Sequence, residues 1–165
     1  EFKPLGPKLK NINFNYHYND GAFNQMDKWI ALGLLEASPL FAELPKSINY
    51  NDPQSGSVGK RARAWLDVNC ANCHQLGGPA ESSGLFLESE QLNRRKLGVM
   101  KPPIAAGLGA GNHKYTIVPG YPDESIMVYR INSTDPGIMM PELGRKLVHQ
   151  EGLDLIRQWI EEMNP

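Results

Sequence analysis

The chain has 165 residues, with 17 Lys and Arg against 18 Asp and Glu, a net charge of −1, and 41% apolar residues. That length holds one domain, or one domain with an extension. Charge near zero implies neither nucleic acid nor a charged membrane surface as a partner, and no apolar run approaches the ~18 residues of a membrane-spanning helix. The sequence opens at Glu1-Phe2-Lys3-Pro4 with no signal peptide in view, which reads as a mature form or a segment of something longer.

Residues 1 to about 20 are rich in Asn, Pro, Lys and Tyr and read as an extended arm. Asp20-Gly21 then opens a helical stretch in which Met26, Trp29, Ile30, Gly33 and Leu34 share one face, up to a stop at Ser38-Pro39. This apolar face is too large to leave in water, so it is expected to dock on the rest of the chain or on a domain upstream. A loop with Pro39, Pro45, Pro53 and Gly56 marks the best internal boundary. A second helix is expected from about Ser57 to Asn69, with Ala62 and Leu66 on the face that leads to Cys70. Gly77-Gly78-Pro79 breaks the chain, and residues 80–112 carry little periodicity. Gly107 to Gly111 lacks the Lys-Ser/Thr step and preceding strand of a phosphate loop. After the turn at Val118 to Pro122, Asp123-Glu124-Ser125 begins a short helix with acidic residues suited to its N-terminus. A final helix from about His149 to Met163 has Leu153, Ile156, Ile160 and Met163 as its apolar stripe, with Trp159 beside it.

The most informative stretch is Cys70-Ala71-Asn72-Cys73-His74, which holds both cysteines of the chain. C-x-x-C-H is the attachment sequence of a c-type haem. Two thioethers at Cys70 and Cys73 hold the porphyrin, and His74 stands ready to ligate its iron. A zinc site would want a second pair of Cys or His ligands. A thioredoxin-like dithiol would want a βαβ pattern ahead of it. Neither is present, and a mere pair of buried cysteines has no need of the following histidine. With both cysteines used, no disulfide remains to report the redox compartment. The motif supplies that instead, because c-type attachment takes place on the exported side of a membrane, and a periplasmic or otherwise exported bacterial protein is expected. The ring nitrogen of His74 that does not ligate should donate to a backbone carbonyl, with Pro79 as the candidate acceptor.

From about Ser57 to Met163 the chain resembles a class I c-type cytochrome domain. The features that carry the resemblance come in order: a helix running into Cys70–His74, Gly77-Gly78-Pro79, Val118-Pro119-Gly120 with a short helix, Met140-Pro141, and a closing helix with Ile156 and Trp159-Ile160. The resemblance implies an all-α, cytochrome c-like fold over residues 57–165, preceded by an N-terminal arm and extra helix over residues 1–56. It implies one covalent haem c bound by Cys70, Cys73, His74 and Met140, with His74 and Met140 on the iron. It also implies that Ala62 and Leu66 pack against Ile156 and Trp159. Residues 1–56 depart from a small cytochrome c. The stretch Asn15 to Trp29 is similar to the segment ahead of a C-terminal haem domain in some exported bacterial proteins.

Several side chains compete for the second axial position. Met26, Met127 and Met163 sit on apolar helix faces and read as core, and Met100 is an outsider. Met139 and Met140 are adjacent, so one of them points inward; Pro141 biases Met140 toward an extended conformation, which together with the resemblance favours Met140. His113 is the main rival, while His17 and His149 read as ordinary polar histidines. With both axial positions filled, single-electron transfer is the expected function rather than enzymatic turnover, served by a redox partner protein or a fused upstream domain. The alternatives are a peroxidase-like haem enzyme or a small-gas sensor with a displaceable sixth ligand.

Overall fold

The alternation Phe14-Asn15-Tyr16-His17-Tyr18, followed by Asn19-Asp20-Gly21, folds as a β-hairpin. In the computed structural model, which describes residues 8–164, β1 (Asn15–Tyr18) pairs antiparallel with β2 (Gly21–Asn24), placing Tyr16 opposite Phe23 and Tyr18 opposite Gly21. The two-residue Asn19-Asp20 loop keeps both its residues at negative φ, and the positive φ of the turn falls on Gly21, at +132°. Among the described residues there are five helices and this one two-stranded sheet. The chain is therefore mixed α/β, which corrects the all-α expectation. Part of the stretch expected to be an arm, and the start of the stretch expected to be helical, pair with each other, because alternating aromatics satisfy their backbone across a tight turn. Residues 1–7 of the expected arm lie outside the described residues.

The chain divides into two units at Ile48/Asn49, eight residues ahead of the expected boundary at residue 56. In the first unit, α1 (Leu9–Ile12) precedes the hairpin and α2 (Gln25–Ala31) follows it. Asn24 caps α2 by accepting from the Met26 N–H at 2.9 Å and donates to Asn13, whose amide reaches the Leu44 carbonyl at 3.1 Å. The helix stops earlier than Ser38. Gly33 takes φ +69°, its N–H bonds to Ile30, and the Leu34 N–H bonds to Trp29; this is the glycine-terminated end known as a Schellman motif. Met26 is buried and Trp29 and Ile30 are half-buried, but Leu34 lies past the helix end and is exposed.

The second unit is built on α3 (Val58–Asn69), α4 (Ile126–Asn132) and α5 (Gln150–Glu161). Ser57 caps α3 through the Lys60 N–H, and His149 caps α5 through the Gly152 N–H. Ala62, Trp65 and Leu66 of α3 meet Leu153, Ile156 and Ile160 of α5 in one buried cluster, with Trp159 at its edge. Ala62, Leu66 and Ile156 are wholly buried, and Trp159 lies over Gly59. This is the pairing the resemblance implied. Met127, Val128 and Ile131 of α4 join the same cluster. The poorly periodic segment 80–112 contributes Leu87, Leu97 and Val99, and Ile117 follows it into the cluster. It is tied to α3 by Arg63, which donates to the carbonyls of Glu88, Ser89 and Gln91. Among the described residues, no helix is long and apolar enough to cross a membrane.

Candidate functional site

The Cys70–His74 motif begins where α3 ends. The Cys70 N–H still closes onto the Leu66 carbonyl at 2.8 Å, and the Cys73 and His74 N–H groups both turn back onto the Cys70 carbonyl, at 3.1 and 2.9 Å. The motif is one tight turn, anchored by a wholly buried Ala71, with both cysteines free and half-buried as residues. Position 78 accepts only glycine without a shift of the backbone: a Cβ there would overlap the Cys73 carbonyl, which accepts the Ala80 N–H at 3.1 Å. Burial pushes the Cys70 thiol up to about 12, Cys73 acts in the same direction, and the charge of Arg145 works against both.

His74 is fixed at both its backbone and its ring. Its carbonyl accepts the Leu87 N–H at 2.9 Å. Its Nδ1 lies 3.1 Å from Ser83 Oγ, not at the Pro79 carbonyl expected from sequence. The turn after Pro79 continues into the short 3-10 segment Glu81–Ser83, which returns the Ser83 hydroxyl to the ring. Burial, and then the charge of Arg130, hold the His74 pKa below its usual value. The ring is therefore neutral near pH 7, the form in which an imidazole ligates a metal.

The loop carrying Met140 is tethered by two arginines. Arg130 donates from Nε to the Ile138 carbonyl at 2.8 Å and accepts the Met140 N–H on its own carbonyl at 3.0 Å, bracketing residues 138–140. Its guanidinium rests on Gly109, where a Cβ would approach to 2.9 Å. Arg145 closes the far end of the loop, donating to the Ile131 carbonyl at 2.6 Å and to the Ser133 carbonyl. These carbonyls terminate α4, where the helix dipole favours a cation. The charge of Arg130 acts on His74, and that of Arg145 on Cys70.

Met139 is buried at 9% exposure and Met140 is half-buried, and the Met140–Pro141 peptide bond is cis. Met26 and Met127 are buried, and Met163 packs on the core. His113 leans on the Tyr129 ring at 5.5 Å, His149 caps α5, and His17 is exposed on β1. Several apolar side chains of the second unit stand in water. Leu76, Ile104, Leu108, Leu143 and Leu147 are 67% to 85% exposed, and an open concavity of about 600 Å³ is lined by Gly144, Arg145, Lys146 and Leu147. Among the described residues, no cluster of three or more His, Cys, Asp and Glu side chains is gathered as a metal ion would require.

Ser83, Arg130 and Arg145 belong to this site and were not legible as such. A serine before a glycine signals a turn, but the return of its hydroxyl to a ring nine residues earlier depends on the tertiary path. No family model, curated protein or solved structure matches the chain, so its reading rests on the residues themselves.

Proposed function

We propose that residues 49–164 belong to a class I c-type cytochrome domain that passes single electrons through one haem c. Cys70 and Cys73 would carry the thioethers, and His74 and Met140 would be the axial ligands. The observation that carries this reading is the Cys70–His74 turn itself: two free thiols and a neutral, immobilised histidine at the end of α3. Further support comes from Leu76, Leu143 and Leu147, apolar side chains left exposed close in sequence to His74 and to Met140, and from Arg130, which bonds the Met140 backbone and whose charge acts on His74. Of the two adjacent methionines, Met140 is the more accessible. The haem would supply a one-electron iron couple whose potential a thioether ligand raises.

The chain's own part is to hold two ligands rigidly. The His74 ring is held at Nδ1, and the Met140 N–H is bonded to the Arg130 carbonyl, with Arg130 Nε on the Ile138 carbonyl two residues before. Ligands held in place cost little reorganisation when the charge on the site changes, which suits electron transfer rather than turnover of a substrate. The reading requires an exported, periplasmic location for attachment and a redox partner, either a separate protein or a fused upstream domain. Oxidised and reduced absorption spectra, with and without carbon monoxide, test it. The parent should show the weak far-red sulfur-to-iron band and little carbon monoxide binding. Met140→Ala should lose that band and gain carbon monoxide binding, while Met139→Ala keeps the parent's behaviour. A parent that binds carbon monoxide readily would point to the haem enzyme or gas sensor instead.

A further inference from the structure

The hydrogen bonds around Ser83 fix which nitrogen of His74 carries its proton. Ser83 has a single hydroxyl hydrogen, and the short 2.6 Å approach to the Ala80 carbonyl commits it there. Oγ can then only accept. It takes the Leu85 N–H at 3.2 Å and faces His74 Nδ1 at 3.1 Å. The proton on His74 must therefore sit on Nδ1, leaving the Nε2 lone pair free. Ser83 is itself held firmly. Its N–H also bonds to the Ala80 carbonyl, and its own carbonyl accepts Lys101 Nζ at 2.8 Å. The chain His74 Nδ1–H to Ser83 Oγ–H to the Ala80 carbonyl is polarised in one direction, and each link strengthens the next.

We propose that Ser83 is the positioning residue for His74: its hydroxyl selects the Nδ1–H tautomer, fixes the ring, and makes Nε2 a more basic ligand. This rests on the reading of His74 as an iron ligand. A more electron-rich imidazole stabilises the ferric state, so removing the acceptor raises the reduction potential.

The test uses the purified, haem-bearing parent with Ser83→Ala and Ser83→Thr, each first checked for haem that stays with the denatured polypeptide. Redox titration of Ser83→Ala should show the ferric-over-ferrous preference reduced about tenfold, the affinity lost on removing such a partner falling on the ferric form. That is a midpoint about 59 mV more positive for a one-electron couple. Ser83→Thr keeps the hydroxyl and should stay near the parent. A second measurement needs no variant: in the reduced parent, the His74 Nδ1 proton should show a nuclear Overhauser contact to the Ser83 β protons. A haem-bearing Ser83→Ala with an unchanged midpoint, a Ser83→Thr shifted as far as the alanine variant, or absence of that contact would overturn the role given to Ser83 alone. A parent without covalent haem would overturn it together with the function on which it rests.

Discussion

Gly152→Ala probes the crossing that aims α3, and hence Cys70, at the site. Glycine within a helix ordinarily costs about 1 kcal/mol relative to alanine, so propensity alone predicts a gain in stability. The local geometry predicts the reverse. A Cβ at position 152 would lie 2.6 Å from His149 Nδ1 and well inside van der Waals contact with Trp65 Nε1 and Cε2. Trp65 is 3% exposed and stacks on His149, leaving the indole little room to retreat. Overpacking of this kind costs about 1–3 kcal/mol. Displacing His149 from the Gly152 N–H adds about 1 kcal/mol for the lost cap. Against the helix-propensity gain, the net loss is about 1–3 kcal/mol, a fall in Tm of roughly 4–12 °C for a domain of this size. Thermal unfolding followed by circular dichroism measures it. In a Trp65→Phe background the smaller ring should make the added methyl cheaper, so the two changes should couple. A Gly152→Ala protein as stable as the parent, or one equally destabilised in both backgrounds, would refute the close α3–α5 crossing.

Other expectations rest on the same contacts. Cys70→Ala and Cys73→Ala should each lower the yield of haem-bearing protein, read by haem stain after denaturing electrophoresis; normal yield from either variant would remove that cysteine from the attachment site. Leu66→Ala, at a wholly buried position facing α5, should cost about 2–5 kcal/mol in chemical denaturation, and a loss well under 1 kcal/mol would place Leu66 outside the core. Deleting residues 1–48 should leave attachment intact, because the cysteine turn and the helices α3, α4 and α5 all belong to the second unit; a truncated chain recovered without haem would show that the first unit is needed for maturation.

The parts of the fold that were legible in the sequence are those governed by short-range periodicity. The helices α3 and α5 were read within a residue or two, because Ala62 with Leu66 and Leu153 with Ile156 and Ile160 repeat at the helical period, and Ser57 and His149 sit at their caps. The hairpin was missed although its signal was local. The aromatic alternation ahead of Asn19-Asp20-Gly21 is a strand-and-turn pattern, obscured by the surrounding Asn and Lys that read as an open arm. The end of α2 turned on the single left-handed residue Gly33 rather than on the more conspicuous Ser38-Pro39. In the site, Cys70 to His74 could be singled out from the sequence because its spacing is local. The partner of His74 was not, since it depends on how residues 80–83 fold back. The tethering of Met140 by Arg130 and Arg145 was hidden for the same reason: charge alone does not reveal which carbonyl an arginine will find.

The proposed function stands or falls on a covalent haem at Cys70 and Cys73. The direct measurement is the mass of the intact denatured polypeptide, after export in a bacterium competent for c-type maturation and extraction with acid acetone. With the thioethers in place the chain should be heavier by one haem, with no free thiol and no haem in the organic phase. A polypeptide of unmodified mass with two alkylatable cysteines would contradict it.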